Sequence, residues 1–255
     1  MVALPPSSTA ASAQASALAA HPLLWHARQV SHRLDTVGTG HAALDQVLPG
    51  NGWPTGALTE LVIDAEACGE LSLLLPMLAR LSHENHWITM IDPPWIPCPS
   101  ALYGNGLAVE KLLLVRTQNK KESLWASEQA VRGIFCGAML AWPDAISFSE
   151  LRRLQLAARA TRTTVFMFRD PKALNSPSPA TLRLRLTPDN GDLQVRVLKC
   201  RGQRPASVIH IRRPQLLQPL RQPPVSLRGS DKRKRTQSEK PVVSLATSPL
   251  RRPSL

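Results

Sequence analysis

The segment that most constrains the fold is LTELVI, Leu58–Ile63, followed after a short loop by LSLLLPMLARL, Leu71–Leu81. A largely apolar run of strand length, broken by Thr59 and Glu60, leads into an apolar helix about three turns long. Short apolar runs separated by helices indicate a mostly parallel sheet covered on both faces. The pattern then repeats. Trp87–Ile91, Leu112–Val115, Ala138–Trp142 and Thr163–Phe168 read as strands, with helices expected at Ala101–Ala108, Glu122–Phe135 and Ser149–Ala160. The expected fold is α/β, a mostly parallel sheet flanked by helices. A hairpin closes it: Leu182, Leu184 and Leu186 alternate with Arg183 and Arg185, and Leu193, Val195 and Val197 follow an Asp189-Asn190-Gly191 turn. The arginines of that hairpin are assigned to a solvated face, with nucleic-acid contact a secondary reading.

Charge divides the chain. The 255 residues carry a net +13, but residues 201–255 hold 13 Lys/Arg against 2 Asp/Glu, leaving the first 200 residues near neutral at about +2. Residues 212–255 are rich in Pro, Gln, Ser and Arg and include Lys232-Arg233-Lys234-Arg235, a composition that cannot bury enough apolar surface to offset the entropy of ordering. They are expected to be a disordered tail, able to hold DNA through counterion release. Residues 1–20 (Ala-, Ser- and Pro-rich, without charge) are expected to be a disordered lead. Residues 21–36 are expected to form an amphipathic docking segment through Leu23, Leu24, Trp25 and Arg28, and residues 37–211 the core domain. With no basic start, no apolar run of membrane-spanning length and four cysteines (Cys68, Cys98, Cys136, Cys200) lacking any C-x-x-C pair, the expectations are a cytoplasmic protein, no membrane and no metal.

The loop between the first strand and helix has the spacing of a phosphate-binding G-x-x-x-x-G-K-[ST] loop, but reads Asp64-x-x-x-x-Gly69-Glu70-Leu71. Glu70 stands where a lysine would attract phosphate, and Leu71 where a hydroxyl would hold magnesium. At about 4 Å and an effective dielectric near 20, each unit-charge pair is worth about 4 kcal/mol, here repulsive. Asp64 and Glu66 are expected to add to that repulsion. The strand ends that would supply a metal-positioning acid are altered as well. One runs into Asp92-Pro93-Pro94, the other into Trp142-Pro143-Asp144, and Asp92 and Asp144 read more simply as turn or capping residues. No nucleotide cofactor and no catalysis are expected.

Thr39-Gly40-His41-Ala42-Ala43-Leu44-Asp45, followed by Gly50-Asn51-Gly52-Trp53-Pro54-Thr55-Gly56, resembles the segment that leads into the phosphate loop of the RecA core. Lys199-Cys200-Arg201 resembles the basic pair by which RecA reaches a neighbouring subunit. The Leu24–Arg28 lead, the LPGNGWPTGALTEL stretch, the Val195–Arg201 strand end and the Pro/Arg tail are similar to the ImuA family of RecA-like accessory proteins. That resemblance implies an SOS-induced, non-catalytic adaptor for translesion DNA synthesis, a mutagenic form of DNA repair. Its partners would be an ImuB-type polymerase-like protein, an error-prone DNA polymerase and RecA. The second resemblance is to SulA, whose leucine-rich helix and Trp-containing strand resemble Leu73–Leu78 and Trp87–Ile91. It implies an inhibitor that caps the tubulin-like division protein. A DNA-dependent ATPase ranks third.

Overall fold

The computed structural model describes residues 35–64, 69–200 and 208–212. The expected docking residues Leu23, Leu24, Trp25 and Arg28, the tail residues Lys232–Arg235, and Arg201 and Glu66 lie outside them.

Two short strands open the described chain, β1 (Thr36–Val37) and β2 (Trp53–Pro54), paired antiparallel. Between them sits a single helical turn, α1 (Ala42–Asp45). The Asp45 carboxylate accepts the Thr39 backbone N–H at 2.9 Å, and Leu44 is fully buried. That gives the T-G-x-x-x-L-D run its local logic. Gly40 has a left-handed backbone (φ +84°), and a Cβ placed there would come within 2.3 Å of the Pro76 Cβ. Trp53 is buried completely, its ring edge-on to Phe166 at 5.3 Å.

The main sheet has eight strands: β3 (Leu58–Ile63), β4 (Trp87–Ile91), β5 (Leu112–Val115), β6 (Cys136–Ala141), β7 (Thr164–Arg169), β8 (Leu182–Asp189), β9 (Asp192–Cys200) and β10 (Val208–Ile211). In space they run β10-β9-β8-β3-β7-β6-β4-β5, parallel from β8 through β5 and antiparallel from β8 to β10. The helices are α2 (Glu70–His83), α3 (Pro99–Gly104), α4 (Lys120–Arg132) and α5 (Phe148–Thr161). The chain is therefore the mixed α/β fold expected, a largely parallel sheet covered by helices.

Chain direction decides which face each helix covers. From β3 to β4 to β5 the chain moves one way across the sheet, and right-handed crossovers put α2 and α3 on one face. From β5 back through β6 to β7 it moves the other way, so α4 and α5 cover the opposite face. Two separate apolar clusters follow. One joins Leu73, Leu74 and Leu78 of α2 to Leu61, Leu184 and Val195; the other joins Val131 of α4 and Leu154 of α5 to Leu58, Met139 and Val165. Local signals set the helix starts. Asn119 accepts the Glu122 N–H at 3.0 Å, and Ser147 with Glu150 forms a reciprocal capping box.

One expectation is corrected here. The hairpin arginines do not form a simply solvated face. The Arg183 side chain is 11% exposed and its Nε lies 3.1 Å from Glu60 Oε2, while Arg169 reaches Glu60 Oε1 at 3.2 Å. Glu60 is 1% exposed on central strand β3; its registry partner on β8 is Arg183, and Arg169 lies two residues beyond its β7 partner Met167, on the same face. A buried carboxylate is tolerable only with such compensation.

Candidate functional site

The carboxyl ends of parallel strands are where an open α/β sheet places its ligands, because the loops there diverge to opposite faces. In this chain β3 leads into α2 on one face while its neighbour β7 leads away on the other. The altered phosphate loop, the β4 end and the β6 end all lie along this edge.

Asp64 follows β3, but it is no free negative charge. Arg185 Nε donates to both of its carboxylate oxygens at 3.0 Å, and Thr187 Oγ1 donates at 2.7 Å. The expected repulsion from Asp64 is thereby corrected: β8 neutralises it. Burial pulls its carboxyl upward, but the bonds from Arg185 and Thr187 outweigh that and hold it below the usual carboxylate value. Residues 65–68 lie outside the described residues. Gly69 adopts a left-handed backbone (φ +88°) immediately before α2, a conformation that favours glycine. Its carbonyl accepts the Ser72 backbone N–H at 3.0 Å and the Ser72 hydroxyl.

Glu70 is the first residue of α2 and is 7% exposed. No hydrogen bond or ion pair among the described residues reaches its carboxylate; the positive end of the helix dipole is its electrostatic support. Leu71 beside it is half-buried. Asp92 also has a left-handed backbone (φ +50°), and its two oxygens accept the backbone N–H and the hydroxyl of Thr117, each at 2.7 Å. It ties the end of β4 to the chain leaving β5. Trp142, just past β6, is stacked on Phe168 with ring centroids 4.2 Å apart and planes within 3°. Asp144 is exposed two residues further on. On the far side of the sheet, Lys199 Nζ donates to the Ser178 carbonyl at 2.7 Å.

The structure brings part of this set together around a cavity of about 290 Å³ between the start of α2, the β4–α3 loop and the end of β6. Glu70, Leu75, Pro94, Trp95, Pro97 and Trp142 are among the residues that line it. The indole N–H groups of Trp95 and Trp142 are buried without a hydrogen-bond partner. Trp95 was missed by sequence reading; a tryptophan within Pro93–Pro97 was its only signal. Among the described residues the lining is predominantly apolar, with Glu70 as its titratable carboxylate and neither lysine nor arginine in it. Chemically it suits an apolar or cationic group better than a triphosphate.

The fold and this edge define a class: a sheet with nucleotide-type loop placement whose helix start carries an acid. Within that frame, residues 56–165 match the family model described as Cell division inhibitor SulA. The match runs from Gly56 through β3, α2, β4, β5 and β6 into β7, leaving the β1–β2 turn and the hairpin outside it. A "Cell division inhibitor SulA" of Yersinia pestis (strain Pestoides F) is 26% identical over 132 residues, covering 51% of this chain and 79% of that protein. The protein of the same description from Yersinia pseudotuberculosis serotype O:1b (strain IP 31758) has the same identity and coverage. A third, from Edwardsiella piscicida, is 34% identical over 94 residues, 36% of this chain and 56% of that protein. The chain is therefore SulA-like across the centre of its sheet. These findings overturn the translesion-adaptor expectation and its emphasis on DNA repair and mutagenesis. The RecA-type features on which that reading leaned fall in the Thr39–Gly56 turn and the hairpin end, largely outside the match. No described helix is long and apolar enough to cross a membrane.

Proposed function

We propose that the chain is a SulA-like inhibitor of cell division that works by occupying a partner's surface rather than by turnover. The observation that carries this reading is the SulA family match over residues 56–165, which spans the centre of the sheet and the altered loop. The partner is the tubulin-like division protein, whose polymer growth such an inhibitor blocks by capping. The chemistry of the sheet edge supports a non-enzymatic role: Glu70 and Leu71 replace the lysine and hydroxyl that phosphate and magnesium would need. Overproduction in a rod-shaped bacterium should give long, undivided filaments. The purified chain should reduce the pelletable polymer of the division protein in proportion to its concentration. Normal division together with unchanged polymer would sink the reading.

A further inference from the structure

An acidic residue that is more than nine-tenths buried is costly unless its charge is partnered or left open to solvent. Glu60 and Asp64 each have arginine partners. Glu70 has none among the described residues, yet it lines an open cavity with two tryptophans. A helix start usually attracts anions, but here the acid side chain already supplies the negative charge that the dipole favours. Among the described residues that line the cavity the net charge is therefore negative, and a second anion would meet Glu70 first.

From this geometry we infer that the cavity is a binding site for an aliphatic cation, an ammonium or guanidinium on an apolar stem, seated with its charge at Glu70. Indole faces attract such cations through their quadrupole, and the effect grows when the cation is desolvated. One face of Trp142 is taken by Phe168, so its other face and its edge are the parts that can line the cavity. Leu75, Pro94 and Pro97 provide apolar contact for a methylene stem. The volume of about 290 Å³ lies at the small end of ligand pockets, matched to one side chain or a short diamine rather than a nucleotide.

The site does not rest on the division reading, and its test uses a separate readout. The full chain labelled with ¹⁵N is titrated with Nα-acetylarginine methylamide, putrescine, Nα-acetylnorleucine methylamide and inorganic phosphate. The Trp95 and Trp142 indole resonances, assigned with Trp95→Phe and Trp142→Phe, report binding. Both cations should shift them saturably at millimolar concentration, and Glu70→Gln should weaken binding at least tenfold. Tighter binding of the arginine derivative identifies a partner's side chain as the source, and tighter binding of putrescine a free diamine. Equal binding of the neutral norleucine analogue, a phosphate-induced shift, or undiminished cation binding in a folded Glu70→Gln protein would overturn the inference. The norleucine comparison needs no variant, so it decides the matter even if Glu70→Gln fails to fold.

Discussion

Asp64 and Arg185 form a two-oxygen ion pair across neighbouring strands, with Arg185 Nε 3.0 Å from each carboxylate oxygen, although 121 residues separate them. Because the Asp64 carboxyl sits below its ordinary value, the pair's contribution is present above about pH 4 and is lost as pH falls through the folded value. Arg185 is 39% exposed, so solvent screening keeps the effect small. Asp64→Asn should cost about 1 kcal/mol in urea denaturation at pH 7, with the gap from the parent narrowing under acid. A gap that stays constant with pH would mean the charge contributes nothing.

Glu60 belongs to a more demanding cluster. Glu60→Ala would leave Arg169 and Arg183 charged and largely buried, at 13% and 11% side-chain exposure, and should cost about 3–5 kcal/mol. Chemical denaturation measures it. The joint replacement of Glu60, Arg169 and Arg183 by apolar residues should recover much of the loss, since no charge is then stranded.

Gly40 faces two obstacles to substitution, its left-handed backbone and the Pro76 ring 2.3 Å from any added Cβ. Gly40→Ala should lower stability by about 1–3 kcal/mol. Pro76→Ala in the same background should not rescue the variant, because the alanine Cβ stands at the same point as the proline Cβ.

His41 supplies a pH dependence at milder acidity. Its Nε2 lies 3.2 Å from the Leu73 carbonyl, in the helix turn loosened by Pro76, which has no N–H to offer Ser72. Burial draws the imidazole below its ordinary value, against the opposing pull of the Leu73 carbonyl and Asp45. The unfolded chain then binds the proton more readily. Stability should be full above about pH 6.5, fall as pH drops toward the folded value, and level off below it. His41→Gln should flatten that slope in denaturation curves taken between pH 7.5 and 5.

Magnesium ATP should leave the melting temperature unchanged at millimolar concentration. A dissociation constant one-hundredth of the nucleotide concentration would stabilise the fold by about 2.7 kcal/mol and raise the midpoint visibly. Such a rise would reopen the phosphate loop as a nucleotide site.

Much of the fold was legible because its signals are local. The runs Leu58–Ile63, Trp87–Ile91 and Leu112–Val115 are strands with the expected bounds, since short apolar segments flanked by turns have little alternative. The helices start earlier than their apolar periodicity suggested, α4 at Lys120 and α5 at Phe148, because caps at Asn119 and Ser147 define their first turns. Strand β10 was not expected. Val208–Ile211 alternates apolar and polar residues over only four positions within a basic, proline-bearing stretch, and it is a strand because β9 offers it an edge.

The site was legible only as a substitution pattern. Sequence alone determined that Glu70 and Leu71 stand in place of a lysine and a hydroxyl, and that strands alternate with helices. Tertiary structure alone decided that Asp64 is neutralised, that Glu60 is buried between two arginines, and that Glu70, Trp95 and Trp142 line one cavity. Those pairings follow from strand order and register, β3 lying between β7 and β8 and β6 beside β4. Local periodicity carries no information about which distant strand becomes a neighbour, so it cannot say which charges will meet.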